Sequence, residues 1–140
     1  MGQYTSPTIL KGHLILLAED EPLIAFDMEE ILRRAGADVV VATDLATAIL
    51  AASRSEVTVA VLDYRLGQET IEPVCERLGS RAVPFILTTG DGGASLVGSA
   101  ALMKPVDGTQ LIAALVNAIA KHQTSEQLGQ ARQTPAAKLV

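Results

Sequence analysis

Five short apolar runs constrain this chain more than any other feature: Leu14–Ala18, Val39–Ala42, Thr58–Leu62, Phe85–Thr88 and Ala100–Met103. Most are continuous rather than alternating, the pattern of strands buried on both faces of a parallel sheet. Helical patterns fill the spaces between them. Ile24, Met28, Ile31, Leu32 and Ala35 fall on one helical face. Pro22 suits the first turn of that helix and Gly36 suits its stop. Leu45, Ala48, Ile49 and Ala52 repeat the pattern behind a cap candidate at Thr43-Asp44. A further helical stretch, Ile71 to Leu78, ends at Gly79. Asp107 precedes a last helix carrying Leu111, Ile112, Leu115, Ala118 and Ile119.

Strands alternating with helices imply right-handed crossovers and helices on both sheet faces. The expectation is an α/β domain built on a doubly wound, five-stranded parallel sheet of flavodoxin-like order 2-1-3-4-5, with about five helices. Four glycines among residues 90–98 predict that the fourth helix is short or irregular. Residues 1–12 are polar, with Pro7 and Gly12 as breakers, and read as a flexible lead. Residues 13–121 form the domain. Residues 122–140, with four Gln and one Pro, read as a disordered tail.

Composition excludes several partner classes. Acids outnumber bases 16 to 11, a net charge of −5, which argues against direct binding to nucleic acid. No apolar run reaches the length of a membrane span and the start is not a signal peptide, so a cytoplasmic protein without a membrane partner is expected. Met1, Gly2 and Ser6 match a loose myristoylation pattern, but it fixes only three positions and is read as chance. With four aromatic residues and no Trp, the core must be aliphatic. Cys75 is the single cysteine and reads as a small core residue. His13 and His122 lie at element edges without clustered partners, so neither is expected to bind a metal.

The chemistry gathers where strands end. Glu19, Asp20 and Glu21 follow the first run, and Asp63 follows the third. Adjacent parallel strands would bring Asp20 and Asp63 to one edge, where each raises the other's pKa unless a cation lies between them. Oxygen-only ligands suit Mg²⁺, which prefers one or two carboxylates plus a phosphate. The bland alternative is a solvated acidic loop at a helix N-terminus. Thr89 ends the fourth run and Lys104 the fifth; Lys104 is the only lysine between Lys11 and Lys121. A hydroxyl, an ammonium and two or three carboxylates can together bind a metal and a phosphoryl group, with one carboxylate left as nucleophile.

Glu19-Asp20-Glu21-Pro22, Leu62-Asp63, Thr88-Thr89-Gly90 and Lys104-Pro105 resemble the receiver domain of bacterial two-component response regulators, from about His13 to Lys121. The resemblance implies that Asp63 accepts a phosphoryl group and that Glu19 and Asp20 form the acidic pair. It implies that Asp20, Asp63 and the Arg65 backbone carbonyl ligate Mg²⁺. It makes Thr89 the switch hydroxyl and Lys104 the phosphoryl-binding cation, with a cis peptide bond before Pro105. Pro84 to Gly90, with Gly67-Gln68-Glu69-Thr70 and Pro73-Val74, resembles stand-alone receivers common in alphaproteobacteria. Two features depart from the family. Ala101 stands where receivers carry an aromatic residue, and only fourteen residues separate Thr89 from Lys104. Arg65 and Asp91, each two positions past a site residue, are expected to flank the phosphoryl group.

The resulting expectation is a stand-alone receiver in a phosphorelay, itself not an enzyme. A histidine kinase or phosphotransfer protein would phosphorylate it on Asp63, and an unknown downstream protein would read it. The alternative is a pseudo-receiver, an interaction or dimerisation module that works without phosphorylation. A phosphatase of the aspartyl-phosphate type would need a second acid at the position of Arg65.

Overall fold

The computed structural model describes residues 6–90 and 101–138; for 127 and 129–138 only the helical backbone is described. Strands β1 (Leu14–Ala18), β2 (Asp38–Ala42), β3 (Val57–Asp63), β6 (Phe85–Thr89) and β7 (Ala101–Met103) form one parallel sheet. Its order is β2-β1-β3-β6-β7. A two-residue-per-strand antiparallel hairpin, β4 (Arg65–Leu66) and β5 (Glu69–Thr70), stands apart from it. Once that hairpin is set aside, the order is the expected doubly wound 2-1-3-4-5.

Four helices lie among the described residues: α1 (Pro22–Arg34), α2 (Leu45–Ala52), α3 (Glu72–Ser80) and α4 (Gly108–Lys138). The short or irregular helix expected after Gly90, and Asp91 itself, fall outside the described residues.

Continuous apolar runs become strands with two buried faces because side chains alternate across a sheet. Ile15 and Leu17 on β1, Val59 and Val61 on β3, and Ile86 on β6 meet α1 and α4 in one core. Leu16, Ala18, Ala60, Leu62 and Leu87 point the other way and meet α2 and α3 in a second core. Ile15, Leu16 and Leu17 are all fully buried, which only a sheet covered on both sides allows.

The helix boundaries follow local chemistry. Asp44 Oδ1 accepts from the Thr47 N–H at 2.8 Å, capping α2. Gly36 stops α1 at φ +100, a region that favours glycine, and a Cβ there would stand 2.8 Å from the Pro7 carbonyl oxygen. Cys75 is buried in the α2–α3 core, where burial pushes its thiol up to about 11.

Two expectations at the ends of the domain need correction. The lead is not detached. Residues 7–12 form turns over the end of α1, the Leu10 N–H donates to the Ala35 carbonyl at 2.7 Å, and Leu10 is fully buried. The folded unit therefore begins before residue 13; the cause is one leucine in a polar stretch too short to show periodicity. The tail is not disordered from 122, because α4 continues to Lys138. Its Gln, Glu, Ala and Arg residues favour helix, and a segment that is polar on every face gives no periodic signal by which to detect one.

Candidate functional site

The carboxyl ends of the parallel strands collect the polar groups. This edge lies at the switch point of the topology, where connections leave β1 and β3 on opposite sides. Glu19 directly follows β1, and its N–H donates to the Ala42 carbonyl at 3.0 Å, extending the β1–β2 ladder. Its side chain is 1% exposed, and Oε2 accepts from the Glu21 N–H at 3.1 Å. Asp20 is the open member of the pair; its Oδ2 accepts from the Gly67 N–H at 2.9 Å.

Asp63 ends β3 and is 7% exposed. Its Oδ1 accepts from the Arg65 N–H at 3.3 Å, and its Oδ2 accepts from Lys104 Nζ at 2.8 Å. Lys104 Nζ also stands 3.1 Å from Glu19 Oε1, an ion pair without hydrogen-bond alignment. The Lys104 N–H donates to the Thr89 carbonyl at 2.9 Å, so β6 and β7 deliver Thr89 and Lys104 together. The Lys104–Pro105 peptide bond is cis, as the resemblance implies.

Asp20, Asp63, Tyr64, Arg65, Thr89 and Lys104 are among the residues lining one cleft of about 310 Å³. Glu19, Asp20 and Asp63 each bring a carboxylate oxygen within 4.8 Å of the others. Oxygen donors of this kind, three acids against one ammonium, fit a hard divalent cation.

The electrostatics follow from burial. Desolvation raises the Glu19 pKa and the Asp63 charge adds to that, while the Glu21 N–H and Lys104 pull it down; the net direction is up. For Lys104, burial acts to lower the pKa. The hydrogen bond and charge of Asp63, joined by those of Glu19, outweigh it, and the net direction is up. The ammonium is therefore held in its charged form beside two acids.

Every site residue expected from the sequence, Glu19, Asp20, Asp63, Arg65, Thr89 and Lys104, lies at this edge. Arg65 begins the hairpin, with its guanidinium carbon 5.8 Å from the Tyr64 ring centroid. Gly67 was missed as a site residue. Its signal was a two-residue loop, Gly67-Gln68, between two short extended pairs, which is hairpin chemistry. His13 instead meets the Thr58 hydroxyl at 2.8 Å, and His122 stands 3.5 Å from Glu126. Neither histidine belongs to a metal-competent cluster among the described residues.

No protein-family model matches the chain, and no curated protein matches it. Solved structures do. The receiver domain of a sensor histidine kinase from Pseudomonas aeruginosa is 27% identical, with a TM-score of 0.70, over 78% of this chain and 98% of that one. That domain was crystallised with a magnesium ion coordinated in its active-site cleft. A response regulator receiver protein from Sinorhizobium medicae is 26% identical, with a TM-score of 0.73, over 79% of this chain and 97% of that one. A CheY-like receiver domain from Methanospirillum hungatei shares the fold at 20% identity, with a TM-score of 0.73, over 83% of this chain and 98% of that one.

Proposed function

We propose, from the premise that this chain belongs to the response regulator receiver domains, that Asp63 accepts a phosphoryl group in a phosphorelay. The observation that carries the reading is the convergence of Lys104 on Asp63 at 2.8 Å beside the carboxylates of Glu19 and Asp20. A pure scaffold has no physical need to hold this charge set together, since like charges at one edge cost stability.

In this reading an Asp63 carboxylate oxygen attacks the phosphorus of a phosphohistidine. The O–P bond forms, the P–N bond breaks, and the imidazole leaves with the electron pair and takes up a proton. The product is a mixed anhydride on Asp63. Glu19, Asp20, Asp63 and the Arg65 carbonyl are the groups that would hold Mg²⁺. The ion, when bound, neutralises charge on the transferred group. Lys104 keeps its ammonium at Asp63 Oδ2, where it meets the incoming phosphoryl oxygens. The Thr89 hydroxyl offers a further donor on the same edge.

The donor is a histidine kinase or a phosphotransfer protein, and the readout is a contact with a downstream protein. In this reading the chain serves as a phosphoryl acceptor in the cytoplasm, akin to alphaproteobacterial receivers, and not as an enzyme. Transfer of label from a phosphorylated histidine phosphotransfer domain, with and without chelator, tests this.

One observation favours a second reading. Ala101 on β7 is exposed and occupies the position where receivers carry an aromatic, so that position offers no ring to couple to Thr89. A phosphorylation-independent interaction module would take no phosphoryl group from any donor, including a small-molecule phosphodonor such as acetyl phosphate.

A further inference from the structure

The hairpin that follows Asp63 reaches back across the cleft to Asp20. Gly67, 47 residues away in sequence, donates its N–H to Asp20 Oδ2 at 2.9 Å. The hairpin has a firm base. Leu66 is 3% exposed within the α2–α3 core, and the Ile71 N–H donates to the Tyr64 carbonyl at 2.8 Å, closing the loop on itself. Register pairs Arg65 with Thr70 and Leu66 with Glu69, leaving Gly67 and Gln68 at the tip. Gly67 adopts φ +61, the left-handed region that turns the tip so that this N–H faces Asp20.

We infer that Gly67 is a positioning residue: its N–H holds the Asp20 carboxylate in the cluster and ties the β4–β5 hairpin to occupancy of the cation site. The inference rests on the proposed Mg²⁺-dependent reading of that site. An ionised carboxylate has about four lone-pair sites, so one amide donor leaves Asp20 ample capacity for a cation. Asp20 is the open member of the acid cluster, and an exposed side chain samples several rotamers unless something fixes it. A rigid backbone donor fixes it. Groups that orient a metal ligand in this way commonly change metal affinity about 10- to 100-fold when lost. The link also runs the other way. A cation at Asp20 withdraws charge from the oxygen that Gly67 meets, so the tip residues Gly67 and Gln68 should report whether the site is filled.

The steric situation makes this testable. A Cβ at Gly67 would meet nothing within 4 Å, so only the backbone conformation is at stake. Alanine disfavours the left-handed region, whereas asparagine tolerates it. Three proteins would be compared with wild type: Gly67→Ala, Gly67→Asn and Asp20→Ala. The measurements are Mg²⁺ titration by calorimetry and amide exchange by NMR without metal. Gly67→Ala should weaken Mg²⁺ binding about tenfold, and Gly67→Asn should restore it to within about threefold of wild type. The Gly67 amide should exchange about tenfold faster in metal-free Asp20→Ala than in wild type. Wild-type Mg²⁺ affinity in Gly67→Ala, or an unchanged Gly67 exchange rate in Asp20→Ala, overturns the inference and leaves the functional reading standing. A wild type that binds no Mg²⁺ overturns the functional reading and the metal coupling with it.

Discussion

Lys104 Nζ stands 2.8 Å from Asp63 Oδ2 and 3.1 Å from Glu19 Oε1, so one ammonium serves two buried carboxylates. Glu19 cannot reach water to compensate, being 1% exposed. Removing Lys104 would leave it beside Asp63 without that ammonium. Lys104→Met should therefore destabilise the metal-free protein by about 2 kcal/mol. Mg²⁺ should recover much of that loss, because a divalent ion can take over the neutralising role. Denaturant melts with and without Mg²⁺ check both halves.

Asp20 presents the opposite case, a like charge to which no ammonium is bonded among the described residues. Asp20→Asn keeps an oxygen that can accept from Gly67 but removes one negative charge from the cluster. Its metal-free melting temperature should equal or exceed that of wild type. The gain in unfolding free energy on adding Mg²⁺ should shrink by about 1.4 kcal/mol for each tenfold loss of affinity at saturating ion. A metal-free loss of stability, or an undiminished Mg²⁺ effect, would count against the cation site.

How far the sequence reveals this molecule depends on whether a feature repeats. The five strands of the parallel sheet and the four described helices announce themselves because burial on both faces forces continuous apolar runs and one-sided helical stripes. Asp20, Asp63, Thr89 and Lys104 are legible because each closes such a run. Leu10 is not, since a single buried side chain in a turn has no period. The hairpin has only two residues per strand, too few to alternate. The helix beyond Lys121 carries no apolar stripe, so its polar face looks the same as an unstructured tail.

Leu10 supplies a direct check on the first of these corrections. It is fully buried against Ala35 and the α1–α4 core. Leu10→Ala should cost about 3 kcal/mol, as large-to-small core substitutions do. A change within error in urea midpoints would mean that the lead is a detached segment after all.

His13 gives a pH dependence. Burial lowers its pKa below the ordinary histidine value of 6.5, and its Nδ1 meets the Thr58 hydroxyl. The unfolded chain then binds more protons than the folded one as pH falls past that value, so stability should decline toward acid. This contribution is complete above pH 6.5 and is lost as pH drops toward the lower folded-state pKa. His13→Gln should flatten that part of the stability profile between neutral pH and pH 5. Identical slopes in wild type and variant would remove His13 as the cause.

Phosphorylation of Asp63 is the claim on which the functional account turns. Wild type and Asp63→Asn would be incubated with acetyl phosphate and Mg²⁺ and weighed by intact-protein mass spectrometry, with a chelated sample alongside. The account expects a gain of one phosphoryl group in wild type with Mg²⁺, none with chelator, and none in Asp63→Asn. A phosphoryl gain in Asp63→Asn equal to that of wild type would contradict it.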